Sequence, residues 1–267
     1  MTASVEAASD SQRFQRWLQE LFVRHQSHPE LEAISMGPFR ALITPGDEAG
    51  ASVAWVTLVD PDPDEGEAVR ALTRLHAAFR HQNMDVEIEY DATAFPQAAK
   101  WFADAGMVIV ERNPLMAVRP DTFVPFSAPD VAITRLRQHA KQTELDAFQR
   151  IRWTNGGDLK DREVQPVERL AHDLKTATSV YLLAWLDWEP VGTGVSHLTG
   201  DVAEIVGVVT RNDRRRRGVA ASVTSELVRR HFERGGDFVF LDAANEDAAK
   251  LYDRLGFSRF GSKVVFR

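Results

Sequence analysis

The stretch from Glu204 to Phe232 constrains the fold more than any other part of the chain. Ile205 to Thr210, after Glu204, is rich in β-branched residues and reads as a buried strand. A polar turn, Arg211-Asn212-Asp213, leads to Arg215-Arg216-Arg217-Gly218-Val219-Ala220, and Ala221 to Phe232 follows as an amphipathic helix. A strand, a turn, a loop of small residues and a helix N-terminus make an anion site, because free backbone N–H groups converge where the helix dipole is positive. Gly218 and Ala220 leave room for a phosphate beside the main chain, and the arginines add positive charge.

The spacing R-x-x-G-x-A, at Arg215, Gly218 and Ala220, resembles the pyrophosphate loop of the GNAT superfamily of N-acetyltransferases. A second strand, Phe238 to Leu241, is followed by Asn245 and a helix over Glu246 to Leu255. The string L-D-A-A-N-E-D-A-A-K-L-Y-D-R-L-G-F resembles that family's next motif, N-x-x-A-x-x-L-Y-x-x-x-G-F. The resemblance implies acetyl-CoA as donor and a small amine as acceptor, joined by direct attack with no metal. It places the donor's pyrophosphate on the N–H groups of Arg216, Arg217, Gly218, Val219, Ala220 and Ala221, next to Arg215. Val208, Val209 and Thr210 would pair with the pantetheine arm as a splayed strand edge, one valine amide polarising the thioester carbonyl. Arg211, Arg214 and Arg216 are candidates for the 3′-phosphate, and Asn245 and Ala248 join the donor site.

For catalysis the resemblance offers Tyr252 as the acid beside the departing thiolate and Glu204 as the base that deprotonates the amine, with His197 a second candidate base. Each has a plainer reading: Asn245 as a helix N-cap, Tyr252 as a core tyrosine, Glu204 as an ion-paired strand residue. Trp153, Trp185 and Trp188 are candidates for an acceptor wall; core packing also suits Trp185, and Trp188 falls in a hairpin turn.

The chain repeats itself. QAAKWFADAGM, ending near Gly106, mirrors DAAKLYDRLGF at an offset of 150. Both halves show strands, then a helix, then a strand and a helix ended by glycine, so the expected fold is α/β: two tandem GNAT-like mixed sheets flanked by helices. At that offset Arg215, Gly218 and Ala220 fall on Glu65, Ala68 and Arg70, and Tyr252 on Phe102. The acidic run Asp60 to Glu67 would repel a diphosphate by roughly 1 kcal/mol per close charge, so the first copy is read as degenerate, without a donor site. The expected layout is a disordered 1–12, a degenerate domain over 13–120, a linker at 121–130 and a catalytic domain over 131–267. Helices are expected over Gln12 to His25, Glu67 to His81, Phe95 to Ala105, Glu144 to Trp153 and Pro166 to Leu174, with a closing hairpin of Val108 to Val110 and Leu115 to Val118.

The 267 residues carry a net charge of −7, which argues against a general nucleic-acid binder even beside Arg214 to Arg217. Zero cysteines removes disulfides and thiolate chemistry, no run is long enough for a membrane span, and the N-terminus lacks signal-peptide character. A cytoplasmic monomer or homodimer is expected. A non-catalytic acyl-CoA sensor or scaffold is the rival reading.

Overall fold

The computed structural model describes residues 2–25, 32–44, 53–60, 64–81, 86–154, 170–171, 173–175 and 178–267. The chain divides into two compact units: Met1–Leu115 with Asp242–Asn245 and Arg259–Arg267, and Met116–Leu241 with Glu246–Ser258. Among the described residues no helix is long and apolar enough to cross a membrane.

In the first unit α1 (Thr2–His25) begins ten residues before the expected Gln12, which corrects the reading of 1–12 as disordered. Asp10 and Ser11 are buried, and the Ser11 hydroxyl donates to Asp91 Oδ2 at 2.8 Å. Phe14, Trp17, Leu18 and Phe22 form the helix's buried stripe at the spacing the sequence suggested. Strands β1 (Glu32–Met36), β2 (Phe39–Thr44) and β3 (Val53–Leu58) pair antiparallel in order. Helix α2 (Glu65–His81) then crosses over to β4 (Val86–Asp91), which pairs parallel with β3. Its buried face, Ala68, Ala71, Leu72, Leu75 and Phe79, packs into one core with Phe39, Ile88, Phe95 and Phe102. The short α3 (Ala98–Asp104) delivers Phe102, whose ring lies 5.2 Å from Tyr90 and 5.1 Å from Phe266.

The expected hairpin at 108–118 is one continuous strand, β5 (Ile109–Val118). Asn113-Pro114 reads as a turn in sequence. Here the Asn113 side-chain amide donates to Glu111 Oε1 and, at 2.9 Å, to Asp242 Oδ2, while the Pro114 carbonyl accepts the Ala243 N–H at 3.0 Å. Tertiary partners hold the chain straight where local chemistry favoured a bend.

The second unit opens with β6 (Ala132–Leu136) and α4 (Gln142–Trp153). Of the helix expected over 166–174, positions 170, 171 and 173 are helical, and 166–169 and 172 lie outside the described residues. An antiparallel meander follows: β7 (Ser179–Leu186), β8 (Glu189–Thr199) and β9 (Val202–Thr210), with β6 on the outer side of β7. Asp187 and Trp188, at φ 53° and 67°, make the two-residue turn between β7 and β8. A 3₁₀ turn (Asn212–Arg214) and helix α5 (Val219–Glu233) cross over to β10 (Phe238–Asp242), parallel to β9, followed by α6 (Glu246–Arg254).

Two glycines set how closely α5 lies on the sheet. A β-carbon on Gly192 would stand 2.5 Å from Val219 Cγ1, and one on Gly194 would stand 2.4 Å from Val223 Cγ1. Val219, Val223 and Leu227 recur every four residues, so one helical stripe sits directly on β8. A separate buried cluster joins α4, through Leu145, Phe148 and Ile151, to Tyr181, Leu183 and Val195. The stretch expected as a linker is tied down within the second unit. Phe126 and Ala128 donate their N–H groups to Ser225 and Ser222 of α5 at 2.8 and 2.9 Å, and Val124 donates to the Leu255 carbonyl.

The final strand, β11 (Ser258–Phe266), was not anticipated. It pairs antiparallel with β4 and carries Val264 and Phe266 into the first unit's core. The end of the chain therefore completes the earlier unit.

Candidate active site

The pairing of β9 with β10 is short. Its register covers Val202, Ala203 and Glu204 against Phe238, Val239 and Phe240, while β9 runs on to Thr210. On its other side β9 stays paired to β8 as far as Thr210, with a bulge where Thr193 faces Val209 and Val195 faces Val206. Gly207 takes φ 59° within the bulge, and its carbonyl accepts the Thr193 hydroxyl at 3.1 Å. Beyond Glu204 the side of β9 facing β10 therefore has no strand partner among the described residues, and Val208, Val209 and Thr210 lie along that edge.

The strand ends at the loop of arginines. Arg216 and Gly218 are left-handed, at φ 61° and 78°, and Gly218 is the N-cap of α5 with no side-chain cap. The first turn of α5, Val219, Ala220 and Ala221, thus offers its N–H groups without a side chain to receive them. Gly218 has two structural reasons beyond those read from sequence: its backbone is left-handed, and a β-carbon there would stand 2.9 Å from Ala128 Cβ.

The first unit's crossover helix ends differently. α2 is capped by Asp64, whose Oδ1 accepts the Glu67 N–H at 2.8 Å, and Glu65 and Glu67 stand in its first turn. The two helices start at 65 and 219, an offset of 154, so Asp64 rather than Ala68 occupies the place of Gly218. Gly106 and Gly256 do stand 150 apart and are both left-handed. The repeat therefore slips by four residues at this helix. Asp62 lies outside the described residues.

The arginines divide into two groups. Arg211 and Arg214 are both engaged by Glu189 and Asp213: Arg211 Nη2 reaches Asp213 at 2.9 Å, and Arg214 Nη2 reaches Glu189 at 2.9 Å. The bond from Arg211 holds the Asp213 carboxyl below its usual range. Arg215, Arg216 and Arg217 are exposed and make no ion pair with a described residue. Of the three arginines put forward for the 3′-phosphate, Arg216 alone is uncommitted.

Glu204 and His197 are direct partners across β9 and β8, and His197 is the partner of Ser179 across β8 and β7. Partners in register share a sheet face, so the two candidate bases stand side by side. His197 Nδ1 lies 2.9 Å from Ser179 Oγ. Further along this face, Tyr181 donates its hydroxyl to Asp173 at 3.3 Å. Burial pushes the Tyr181 phenol up to about 12, Asp173 adds to the rise, and Arg152 and a bond from Ser179 oppose it. A β-carbon on Gly207 would lie 3.2 Å from Arg152 Nε, so this arginine rests against the bulge. Sequence reasoning missed Arg152, Asp173, Ser179 and Tyr181, which come from three separate places in the chain: α4, position 173 and β7.

Tyr252 is buried on α6, its ring 5.7 Å from Phe257, and Ala248 is half-buried one turn earlier. Asn245 lies in the segment Asp242–Asn245 that groups with the first unit, exposed at a bend before α6. Trp188 is almost wholly exposed at its turn, whereas Trp185 packs against the core beneath α4.

Residues 145–257, which hold the splayed strand, the uncapped helix and Tyr252, match the model of the acetyltransferase (GNAT) family. This segment belongs to the GNAT family. The solved structures agree on the fold of the chain. A GCN5-related N-acetyltransferase from Kribbella flavida aligns at TM-score 0.75 and 23% identity, covering 96% of this chain and 94% of its own. A GCN5-related N-acetyltransferase from Sphaerobacter thermophilus gives 0.61 and 16%, covering 86% and 80%. A tandem GNAT protein of the clavulanic acid biosynthesis pathway gives 0.60 and 12%, covering 89% and 83%. No curated protein matches the chain. The GNAT assignment, made from two motifs, therefore holds, and with it the mixed α/β fold and acyl transfer as the family's chemistry.

Proposed function

We propose that the second unit transfers an acetyl group from acetyl-CoA to the amine of a small molecule. One observation carries this reading: an uncapped helix N-terminus lies at the end of a strand edge that has lost its partner. The N–H groups of Arg216 to Ala221 would hold the diphosphate, with Arg215, Arg216 and Arg217 supplying charge. The edge of β9 at Val208, Val209 and Thr210 would hold the pantetheine arm. When bound, the donor supplies a thioester carbon open to direct attack.

The remaining work falls to the chain's own groups. The Val208 or Val209 N–H donates to the carbonyl oxygen as it gains charge. Glu204, with His197 beside it, accepts the proton that an ammonium acceptor must lose. The Tyr252 hydroxyl donates to the departing sulfur, a role in which placement outweighs the pKa difference between phenol and thiol. The first unit has no donor site in this reading, because the Asp64 carboxylate already fills the position a phosphate would take on α2.

The test is thiol release from acetyl-CoA with a panel of small amines. Tyr252→Phe is expected to lower kcat by about a hundred-fold or more, the scale of general-acid catalysis, with CoA affinity little changed. CoA binding without turnover on any amine would favour the sensor, and the absence of CoA binding would defeat the proposal.

A further inference from the structure

The outer strand of the second unit carries positive charge with little set against it. Arg135 on β6 stands opposite Leu182 on β7, and Leu182 stands opposite Gly194 on β8. That row meets α5, since a β-carbon on Gly194 would touch Val223 and Leu227. Arg135 therefore rises on the α5 side of the sheet. Arg137 follows directly after β6, close enough for its charge to act on Arg135. One turn beyond Leu227, Arg230 and Arg234 are spaced i, i+4 on the helix.

Few carboxylates bond these four arginines, although Asp201 and Asp237 act together with Arg234 on the neighbouring His231. Glu226 bonds Arg230 Nε at 2.6 Å but also binds Arg229. Arg137 and Arg234 are exposed, and neither they nor Arg135 make an ion pair with a described residue. Arg135 Nε is sealed from water with no acceptor. Burial lowers the Arg135 pKa below the usual arginine value, and the charges of Arg137, Arg230 and Arg234 lower it further. Arginines at a helix C-terminus offset the dipole, and charge on an edge strand deters stray pairing. Neither role calls for a buried guanidinium N–H without an acceptor, which leaves the loss of its water uncompensated.

We propose that Arg135, Arg137, Arg230 and Arg234 form a second anion site that takes the phosphate or diphosphate group of a small ligand. A guanidinium fork matches two phosphate oxygens, and a cluster of this charge suits a dianion better than a single carboxylate. The site is distinct from the acetyl-CoA loop. It lies at the C-terminal end of α5, a helix of 15 residues, so roughly 20 Å separates it from the N-terminal turn.

The experiment is calorimetric titration of the full chain with inorganic pyrophosphate while the donor loop is saturated with CoA. Binding at one further site is expected, weakened at least ten-fold by Arg135→Met and by Arg234→Gln. Arg135→Met also removes a repelled charge, so without pyrophosphate its Tm should equal or exceed that of the parent. Should that variant fail to fold, the exposed Arg234→Gln decides alone. The proposal is overturned if no binding remains once CoA is present, if both variants bind pyrophosphate as the parent does, or if the arginines retain duplex DNA that pyrophosphate does not displace. The two variants report on the arginine cluster even if the donor loop proves not to bind CoA, so the failures of the two proposals remain distinguishable.

Discussion

Ala221→Glu should raise stability and lower donor affinity together. Gly218 is the N-cap of α5, which makes Ala221 the third residue of its first turn. In α2, with Asp64 as N-cap, the third residue is Glu67. The substitution therefore gives the second unit the first unit's own arrangement. A carboxylate there interacts favourably with the helix dipole by about 0.3–1 kcal/mol. The same charge stands where the diphosphate is expected. At about 4 Å, one like-charge contact costs about 1 kcal/mol in water and about 4 kcal/mol at the dielectric of a protein surface. Ala221 is half-buried, so about 2 kcal/mol is a reasonable value, equivalent to about thirty-fold in Kd. Thermal unfolding measures the first effect and titration with CoA the second, at low and high salt, with the affinity gap narrowing as salt rises. A gain in stability with unchanged CoA affinity would refute the assignment of these amides to the donor. A loss of both would show general damage instead.

Arg216→Ala should weaken CoA several-fold and dephospho-CoA by a smaller factor, whereas Arg211→Ala, which removes a partner of Glu189 and Asp213, should change CoA affinity less than two-fold. Gly194→Ala should destabilise by about 1–3 kcal/mol in urea unfolding, because its β-carbon would collide with Val223 on a helix that cannot retreat without opening the core. The Tyr181 phenol is pushed up to about 12 by burial, so between pH 10 and 12 the unfolded chain loses a proton that the folded chain keeps, and stability falls as pH rises. Tyr181→Phe should therefore lose about 2–3 kcal/mol less than the parent across that window, read from unfolding at each pH.

The strand, the arginine loop, the helix over Ala221 to Phe232 and the Asn245-to-Phe257 motif were legible because each is local. Periodicity and small residues at fixed spacing specify such units without reference to the rest of the chain. Legibility ended where distant segments decide. Nothing near Arg211 or Arg214 in sequence announces that Glu189 will bind both. The Ser179, Tyr181, Asp173 and Arg152 group is assembled from one strand and two separate stretches of chain, none with a motif of its own. A hairpin is expected where β5 runs straight; Asn113-Pro114 between its halves is turn chemistry, and the partners that override it, Asp242 and Ala243, stand far along the chain. β11 alternates apolar residues at Phe260, Val264 and Phe266, a signal present in the sequence but lying beyond the last motif. The offset of 150 holds for the helices ended by Gly106 and Gly256 and slips at α2, since loops change length more freely than packed elements.

A crystal structure of the protein with CoA tests the central claim most directly. Density for the diphosphate against the amides of Arg216 to Ala221, with the pantetheine arm along Val208 to Thr210, is the predicted result. Density at the N-terminus of α2 beside Asp64, or no bound CoA at concentrations that saturate related enzymes, would contradict it.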